Sequence, residues 1–302
     1  MNTKELHGSR KALFFTDLDN TLIYSHRHQI SDPVVWVEEL NGRRQSFMSR
    51  RSFDYFKTQE WLEVIPTTMR TPEQYGRLLS LGNTLGWHLA LVCNGAILLV
   101  DGREDLSWRE ESLRLSENDR PAYEEAIRKA FAAYERENIV SVDRIMFYIK
   151  GTEVDRTYSY LKEHADPEHV FVYKDSRKVY CLPVSLRKGC SVRRFKTQKI
   201  QGDGPFAREH KDGVLSEGKM DQYSSGADSS AGKPFCIAAG DGPSDVGMLE
   251  QADICLCPRA LDNSVTHAGE KILCEGFFAD SICRELENIN RRTLRLIDKA
   301  EK

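Results

Sequence analysis

Short apolar runs that end in polar clusters recur along this chain. Lys11-Ala-Leu-Phe-Phe-Thr16 leads straight into Asp17-Leu-Asp-Asn-Thr21, which reads as a buried strand closing at a polar loop. Val34 to Val37 and Arg44 to Met48 flank Asn41-Gly42, a pair that accepts the positive φ a tight hairpin turn needs, so two antiparallel strands are predicted there. A helix is predicted from about Ser52 to Trp61, and a strand at Val64-Ile65 that leads into Pro66-Thr-Thr-Met-Arg70. Another helix should start at Thr71-Pro72-Glu73, where a cap residue precedes a proline. Leu89 to Val92 is the next buried strand and ends at Cys93-Asn94-Gly95. Strands alternating with helical segments predict βαβ units and a parallel sheet.

Between about 96 and 185 the pattern changes to longer, half-polar strands at Ile97 to Val100, Arg144 to Ile149, Val170 to Tyr173 and Lys178 to Leu182, around helices near 119–137 and 153–164. This predicts a second, α+β module inserted in the first. The βα rhythm returns with a helix from Lys188 to Lys196, a strand from Phe235 to Ala239, a helix near Ser244 to Glu250 and a strand from Asp253 to Leu256. Ile282, Leu286, Ile289, Leu294 and Ile297 give a terminal amphipathic helix. The stretch 202–232 carries six of the 20 glycines and little apolar material, and it is expected to be a flexible insertion within the core. The fold class expected is α/β: a Rossmann-like parallel-sheet core over 1–95 and 186–302, interrupted by an α+β cap over 96–185.

Composition narrows the function classes. The 302 residues are 40% hydrophobic, enough for a sizeable core, and 43 Lys and Arg against 46 Asp and Glu leave a net charge of −3. That balance gives no reason to expect nucleic acid as a partner. No apolar run approaches the roughly 18 residues that span a bilayer, and the polar start MNTKELHGSRK lacks the apolar core of a signal peptide. A cytoplasmic protein, monomeric or homodimeric, is the expectation. Eight cysteines without a repeated spacing read as reduced, packed thiols, and this holds also for Cys255 and Cys257, which lie two apart on one strand.

Four polar clusters follow predicted buried strands or open a predicted helix: Asp17-Leu-Asp-Asn-Thr21, Thr67-Thr68, Lys188-Gly189 and Gly240-Asp-Gly-Pro-Ser-Asp245. Ligands of open α/β sheets bind at the carboxyl ends of the strands. Four carboxylates that converge there cannot all stay ionised without a cation, and oxygen-only donors select a hard metal such as Mg²⁺. A cation, a lysine and a hydroxyl together suit a phosphoryl group, whose transfer depends on positioning and charge neutralisation.

The ordered set Asp17-x-Asp19-x-Thr21, Thr68, Lys188 and Gly240-Asp241-x3-Asp245 resembles the haloacid dehalogenase superfamily, specifically its aspartate-nucleophile phosphatases. The inserted module, falling between Thr68 and Lys188, resembles the large cap of the branch that holds sucrose-phosphate and mannosyl-phosphoglycerate phosphatases. The resemblance implies that Asp17 is the nucleophile, forming an aspartyl-phosphate, and that Asp19 protonates the leaving oxygen and then activates the hydrolytic water. It implies Mg²⁺ held by Asp17, the Asp19 carbonyl, Asp241 and Asp245. It further implies that Thr68 and Lys188 bind the phosphoryl group, with Asn94 close to the substrate, and that Thr21 orders the nucleophile loop. Members of the branch commonly carry Gly where this chain has Met69 and Asn where it has Ser244; Thr67 stays an alternative to Thr68. The function expected is a Mg²⁺-dependent phosphatase of a small phosphorylated metabolite, a sugar or polyol phosphate. The alternatives are a sugar phosphomutase or phosphotransferase with the same intermediate, and a non-catalytic metabolite-binding relative. Arg43, Arg44, Arg50, Arg51, His26 and His28 read as solvated surface.

Overall fold

The computed structural model describes residues 11–175, 177–201, 234–266 and 269–300. The segment 202–232, expected to be an insertion, lies outside the described residues. In chain order the elements are β1 (Ala12–Thr16), β2 (Tyr24–Ser25), β3 (Val34–Leu40), β4 (Arg43–Ser49), α1 (Arg50–Thr58), β5 (Leu62–Pro66), α2 (Pro72–Gly76), α3 (Leu79–Leu85) and β6 (Leu89–Val92). Then come β7 (Ile97–Val100), β8 (Arg103–Glu104), α4 (Leu106–Leu115), α5 (Arg120–Ala133), β9 (Ile139–Val142), β10 (Met146–Lys150), α6 (Val154–His164), β11 (Val170–Asp175) and β12 (Lys178–Pro183). The chain closes with α7 (Lys188–Gln201), β13 (Cys236–Ala239), α8 (Val246–Leu249), β14 (Ile254–Pro258), β15 (Glu270–Cys274) and α9 (Phe278–Ala300).

Local chemistry explains the boundaries. Asn41 and Gly42 both take positive φ in the β3–β4 turn, as a two-residue hairpin loop requires. The Ser49 hydroxyl accepts from the Ser52 N–H and starts α1 at Arg50, two residues earlier than expected. Thr71 and Gln74 cap each other reciprocally ahead of α2, with Pro72 in its first turn.

Five parallel strands in the order β15-β14-β13-β1-β5 form the core sheet, with β1 between β13 and β5. Its inner strands β1, β13 and β14 are buried on both faces. Phe14, Ile237 and Leu256 face one apolar cluster and Leu13, Phe15, Ala238 and Cys255 face the other, closed on that side by Val192, Phe195 and Met248. Cys255 and Cys257 are fully buried there, as packed thiols.

β6, bridged to the core through Leu91 and Thr67, pairs antiparallel with β7, and β7 pairs with β8. Helix α4 then lays Trp108 into the core cluster edge-on to Phe195, its indole N–H donating to the Gly95 carbonyl at 2.9 Å. Residues 97–115 therefore pack as an antiparallel margin of the core.

Beyond it, β11-β12-β10-β9 form a four-stranded antiparallel sheet. Its period-two alternation separates two faces. Phe147, Ile149, Val170, Val172, Val179 and Cys181 pack beneath α5 and α6 with Tyr123 and Leu161. The intervening Tyr148, Phe171, Tyr173, Tyr180 and Leu182 turn toward the core domain. The two modules touch through Gln74, whose Nε2 donates to the Tyr148 hydroxyl at 3.1 Å. No helix among the described residues is long and apolar enough to cross a membrane.

Candidate active site

The carboxyl ends of β1, β5 and β13 and the first turn of α7 meet in one cleft of about 400 Å³, roofed by the β11–β12 hairpin. Asp17, Asp19, Thr68, Lys188, Asp241 and Asp245 all line it. At its floor the Lys188 ammonium, 1% exposed, donates to Asp17 Oδ1 at 2.5 Å and to Asp245 Oδ1 at 2.7 Å. The approach of α7 is set by Gly189, where a side chain would collide with the Gly247 carbonyl of α8. The Gly242 N–H donates to Asp245 Oδ2 at 3.0 Å, and the Thr21 hydroxyl donates to Asp241 Oδ1 at 2.9 Å.

Electrostatics follow from this crowding. Burial pushes Asp17 well above the ordinary carboxylate range; Lys188 opposes the shift, while Asp245 and Asp241 add to it. Burial would strip Lys188 of its proton, but the carboxylates of Asp17 and Asp245 overcome it and hold the ammonium charged. Asp241 is pushed up to about 6 by burial and then by Asp245. Carboxylate oxygens of Asp17, Asp241 and Asp245 lie within 4.8 Å of one another. Among the described residues this is the one such group of metal-ligating side chains. An all-oxygen donor set of three carboxylates fits a hard divalent cation.

A carboxyl whose folded pKa is raised contributes stability below its unfolded pKa of about 4 and loses that contribution as pH rises through the folded value, here about 6 for Asp241. The cost of the ionised cluster is thus larger at pH 7.5 than at pH 5.5, and a cation competes with fewer protons there. The rise in melting temperature on adding MgCl₂ should be larger at pH 7.5. Equal shifts at the two pH values would show that the cation does not meet these carboxylates.

Asp19 behaves differently from its neighbours. Its carboxylate, partly open to the cleft, accepts two 2.8 Å bonds from Arg70 Nε and Nη2. Burial alone would raise its pKa, but the bidentate guanidinium outweighs that and lowers it. Arg70 was legible only as a residue following Thr68; its partnership with Asp19 joins positions 51 apart.

Of the two threonines, Thr68 lines the cleft and its Oγ1 accepts from the Arg70 N–H at 3.2 Å. The Thr67 hydroxyl turns back to the Ile65 carbonyl. Asn94 was expected at the phosphate. It is 1% exposed and not among the cleft-lining residues, and its N–H donates to the Thr68 carbonyl at 2.8 Å. It takes a positive φ, and its buried Oδ1 has no hydrogen-bond partner among the described residues. Ser244 lines the cleft in the place where the branch carries Asn, and the Tyr173 hydroxyl of β11 descends beside it and beside Gly242. Arg43, Arg44, Arg50 and Arg51 are exposed; Arg44 covers the Trp36 ring and Arg50 pairs with Asp54.

The roof contributes residues that no sequence motif marked. Lys178 lies over the Tyr148 and Tyr180 rings at 5.1 and 5.9 Å; burial lowers its pKa while Asp19 and Asp175 pull it up. Asp175 is raised by burial and by Asp19. They were invisible because strand alternation reports which face a residue takes, not what that face meets.

No protein-family model matches the chain, and a search of curated proteins finds no relative. Solved structures do match. The sucrose-phosphatase of Synechocystis sp. PCC6803, in complex with sucrose and phosphate, superposes with a TM-score of 0.54 at 16% identity, over 93% of this chain and 99% of that one. A HAD subclass IIB sugar phosphatase matches with a TM-score of 0.53 at 12% identity, over 93% and 99% of the two chains. A Thermoplasma acidophilum protein matches with a TM-score of 0.52 at 10% identity, with the same coverage. The parallel core, the antiparallel roof and the convergence of Asp17, Thr68, Lys188 and Asp241 at the strand ends thus belong to a chain with the fold of the haloacid dehalogenase superfamily sugar phosphatases.

Proposed function

We propose that the protein is a Mg²⁺-dependent phosphatase that hydrolyses the phosphomonoester of a small soluble sugar or polyol phosphate through an aspartyl-phosphate on Asp17. The observation that carries this reading is the Lys188 ammonium held between Asp17 and Asp245 with Asp241 and Thr21 alongside, at the floor of a roofed cleft. A lone buried carboxylate would be protonated and a poor nucleophile; Lys188 favours its ionised form. Thr68 and Lys188 offer donors to the phosphoryl oxygens, on which charge spreads in the transition state. Asp19 stands at the mouth, where it gives a proton to the leaving oxygen and later takes one from water.

Asp17, Asp241, Asp245 and the Asp19 carbonyl would hold the cation. When bound, Mg²⁺ would neutralise charge on the phosphoryl oxygens and on the carboxylates. The roof supports a polyhydroxy substrate: Tyr173 and Tyr180 supply ring faces and hydroxyls, and Lys178 and Asp175 supply charged hydrogen-bonding partners. The names of the similar structures, a sucrose-phosphatase and a sugar phosphatase, point the same way. The test is phosphate release from a panel of hexose and polyol phosphates with MgCl₂ and with EDTA. Release that needs the metal is expected, and no release from any member of the panel would overturn the reading.

A further inference from the structure

Alternation along the roof sheet sends one set of side chains toward the core domain: Tyr148 and Lys150 on β10, Lys178 and Tyr180 on β12, Tyr173 and Asp175 on β11. The register places Lys150 opposite Lys178, and Lys178 opposite Asp175. Like charges directly opposite one another on paired strands are destabilising. Lys178 has an acid on its other flank, yet it forms no ion pair with Asp175. Its ammonium lies instead over the Tyr148 ring of β10, 5.1 Å from the centroid, and the Lys150 ammonium lies over the same ring at 5.7 Å.

Most cations of the cleft are engaged by acids. Arg70, Arg77, Arg177, Lys178 and Lys188 line it. Lys188 meets Asp17 and Asp245, Arg70 meets Asp19 and the buried Glu38, and Arg77 pairs with Glu73 at 2.7 Å. Lys178 and Arg177, the latter exposed in the turn between β11 and β12, form no ion pair or side-chain hydrogen bond with any described residue. Burial lowers the proton affinity of Lys178, and Arg70 and Lys150 add to that, while Asp19 and Asp175 oppose it. A half-buried ammonium that no acceptor touches is costly in the free protein, and the cost is relieved once an anion arrives.

We infer that the substrate carries a second anionic group, a carboxylate or a further phosphoryl group on its leaving part, which Lys178 and Arg177 hold at the roof with Lys150 adding to the field. The inference rests on the phosphatase reading above and goes beyond it, since that reading asks only for a polyhydroxy leaving part. The transferring phosphoryl group has its own cation at the floor, Lys188, which leaves the two unengaged cations of the roof to the rest of the substrate. A hydroxyl gives a lysine or an arginine a neutral acceptor, whereas a carboxylate or phosphate gives a charge-assisted bond about twice as strong. Only a charged acceptor also relieves the repulsion between Lys150 and Lys178.

The experiment measures kcat/KM with MgCl₂ on glucose monophosphate, phosphogluconate and fructose bisphosphate, each phosphorylated at the terminal carbon. At the other end they carry a hydroxyl, a carboxylate and a second phosphoryl group. Wild type should prefer one of the two doubly anionic substrates over glucose monophosphate by at least about tenfold, the scale of one charge-assisted hydrogen bond, and the preferred one names the group. In Lys178→Gln that ratio should fall about tenfold, and in Lys178→Arg, which keeps the charge, much of it should persist. Arg177→Gln should lower it by less, because exposed charges are screened, and it reads the same ratio if Lys178→Gln does not fold. A ratio unchanged in both Gln variants, even with all three rates lowered together, overturns the inference. No preference in wild type overturns it as well, and both results leave the phosphatase reading standing. A wild type that releases phosphate from none of these substrates nor from the wider panel overturns both.

Discussion

Asp17→Asn yields a folded protein that releases phosphate at least about a thousandfold more slowly and never carries a covalent phosphate. An amide of the same shape cannot supply the electron pair that makes the aspartyl-phosphate, and loss of a covalent nucleophile removes the whole two-step route. The fold should survive, because the substituted amide still offers an acceptor oxygen toward Lys188, which keeps its 2.7 Å bond to Asp245. Two measurements check this: steady-state turnover of a hexose phosphate, and the mass of enzyme quenched in acid during turnover. Wild type should show a population heavier by one phosphoryl group, and the variant none. Turnover within tenfold of wild type in Asp17→Asn would exclude the mechanism.

Lys188→Met should be the most damaging substitution for stability and activity together. The variant keeps the length of the side chain and removes its charge, leaving Asp17, Asp245 and Asp241 facing one another in a buried site. Removing one partner from a buried charge pair costs about 3–5 kcal/mol. The cost has a definite pH dependence. Burial and mutual repulsion raise Asp17 and Asp241, the latter to about 6, so as pH falls these carboxyls take up protons and the repulsion disappears. Urea denaturation should show a large loss of stability at pH 7.5 that narrows at pH 5. Turnover should fall at least about a hundredfold, since both the nucleophile and the phosphoryl oxygens lose their fixed cation. A loss of stability that is the same at both pH values would mean that Lys188 serves as packing and not as a counter-charge.

Site legibility divides along a physical line. Asp17, Asp19, Thr68, Lys188, Asp241 and Asp245 were readable because each is tied to a strand end or a helix start, and apolar runs give those away locally. Each of these positions does line the cleft. Asn94 carried the same local signature; it follows β6, which is bridged to Thr67 beyond β5, and its N–H donates to the Thr68 carbonyl. Glu38 was missed for a different reason. Alternation along β3 sends successive residues to opposite faces, and only the slipped register with β4 buries Val37 and Glu38 together. Trp108 was missed because α4 follows the strand pair that adds an antiparallel margin to the core, a pairing no periodicity reports.

The sequence by itself determined the central core strands and the order in which their chemistry arrives: apolar runs make strands, Thr71 starts a helix, Asn41-Gly42 closes a hairpin, and the acids fall just past buried strands. These are local effects, decided within a few residues by backbone conformation and side-chain period. Only the tertiary structure decided which charges meet: Lys188 with Asp17 across 171 positions, Asp19 with Arg70 across 51, and Arg70 with Glu38 across 32. Charge pairing depends on distance in space and on exclusion of water, and both are created by the packing of sheets and helices that lie far apart along the chain.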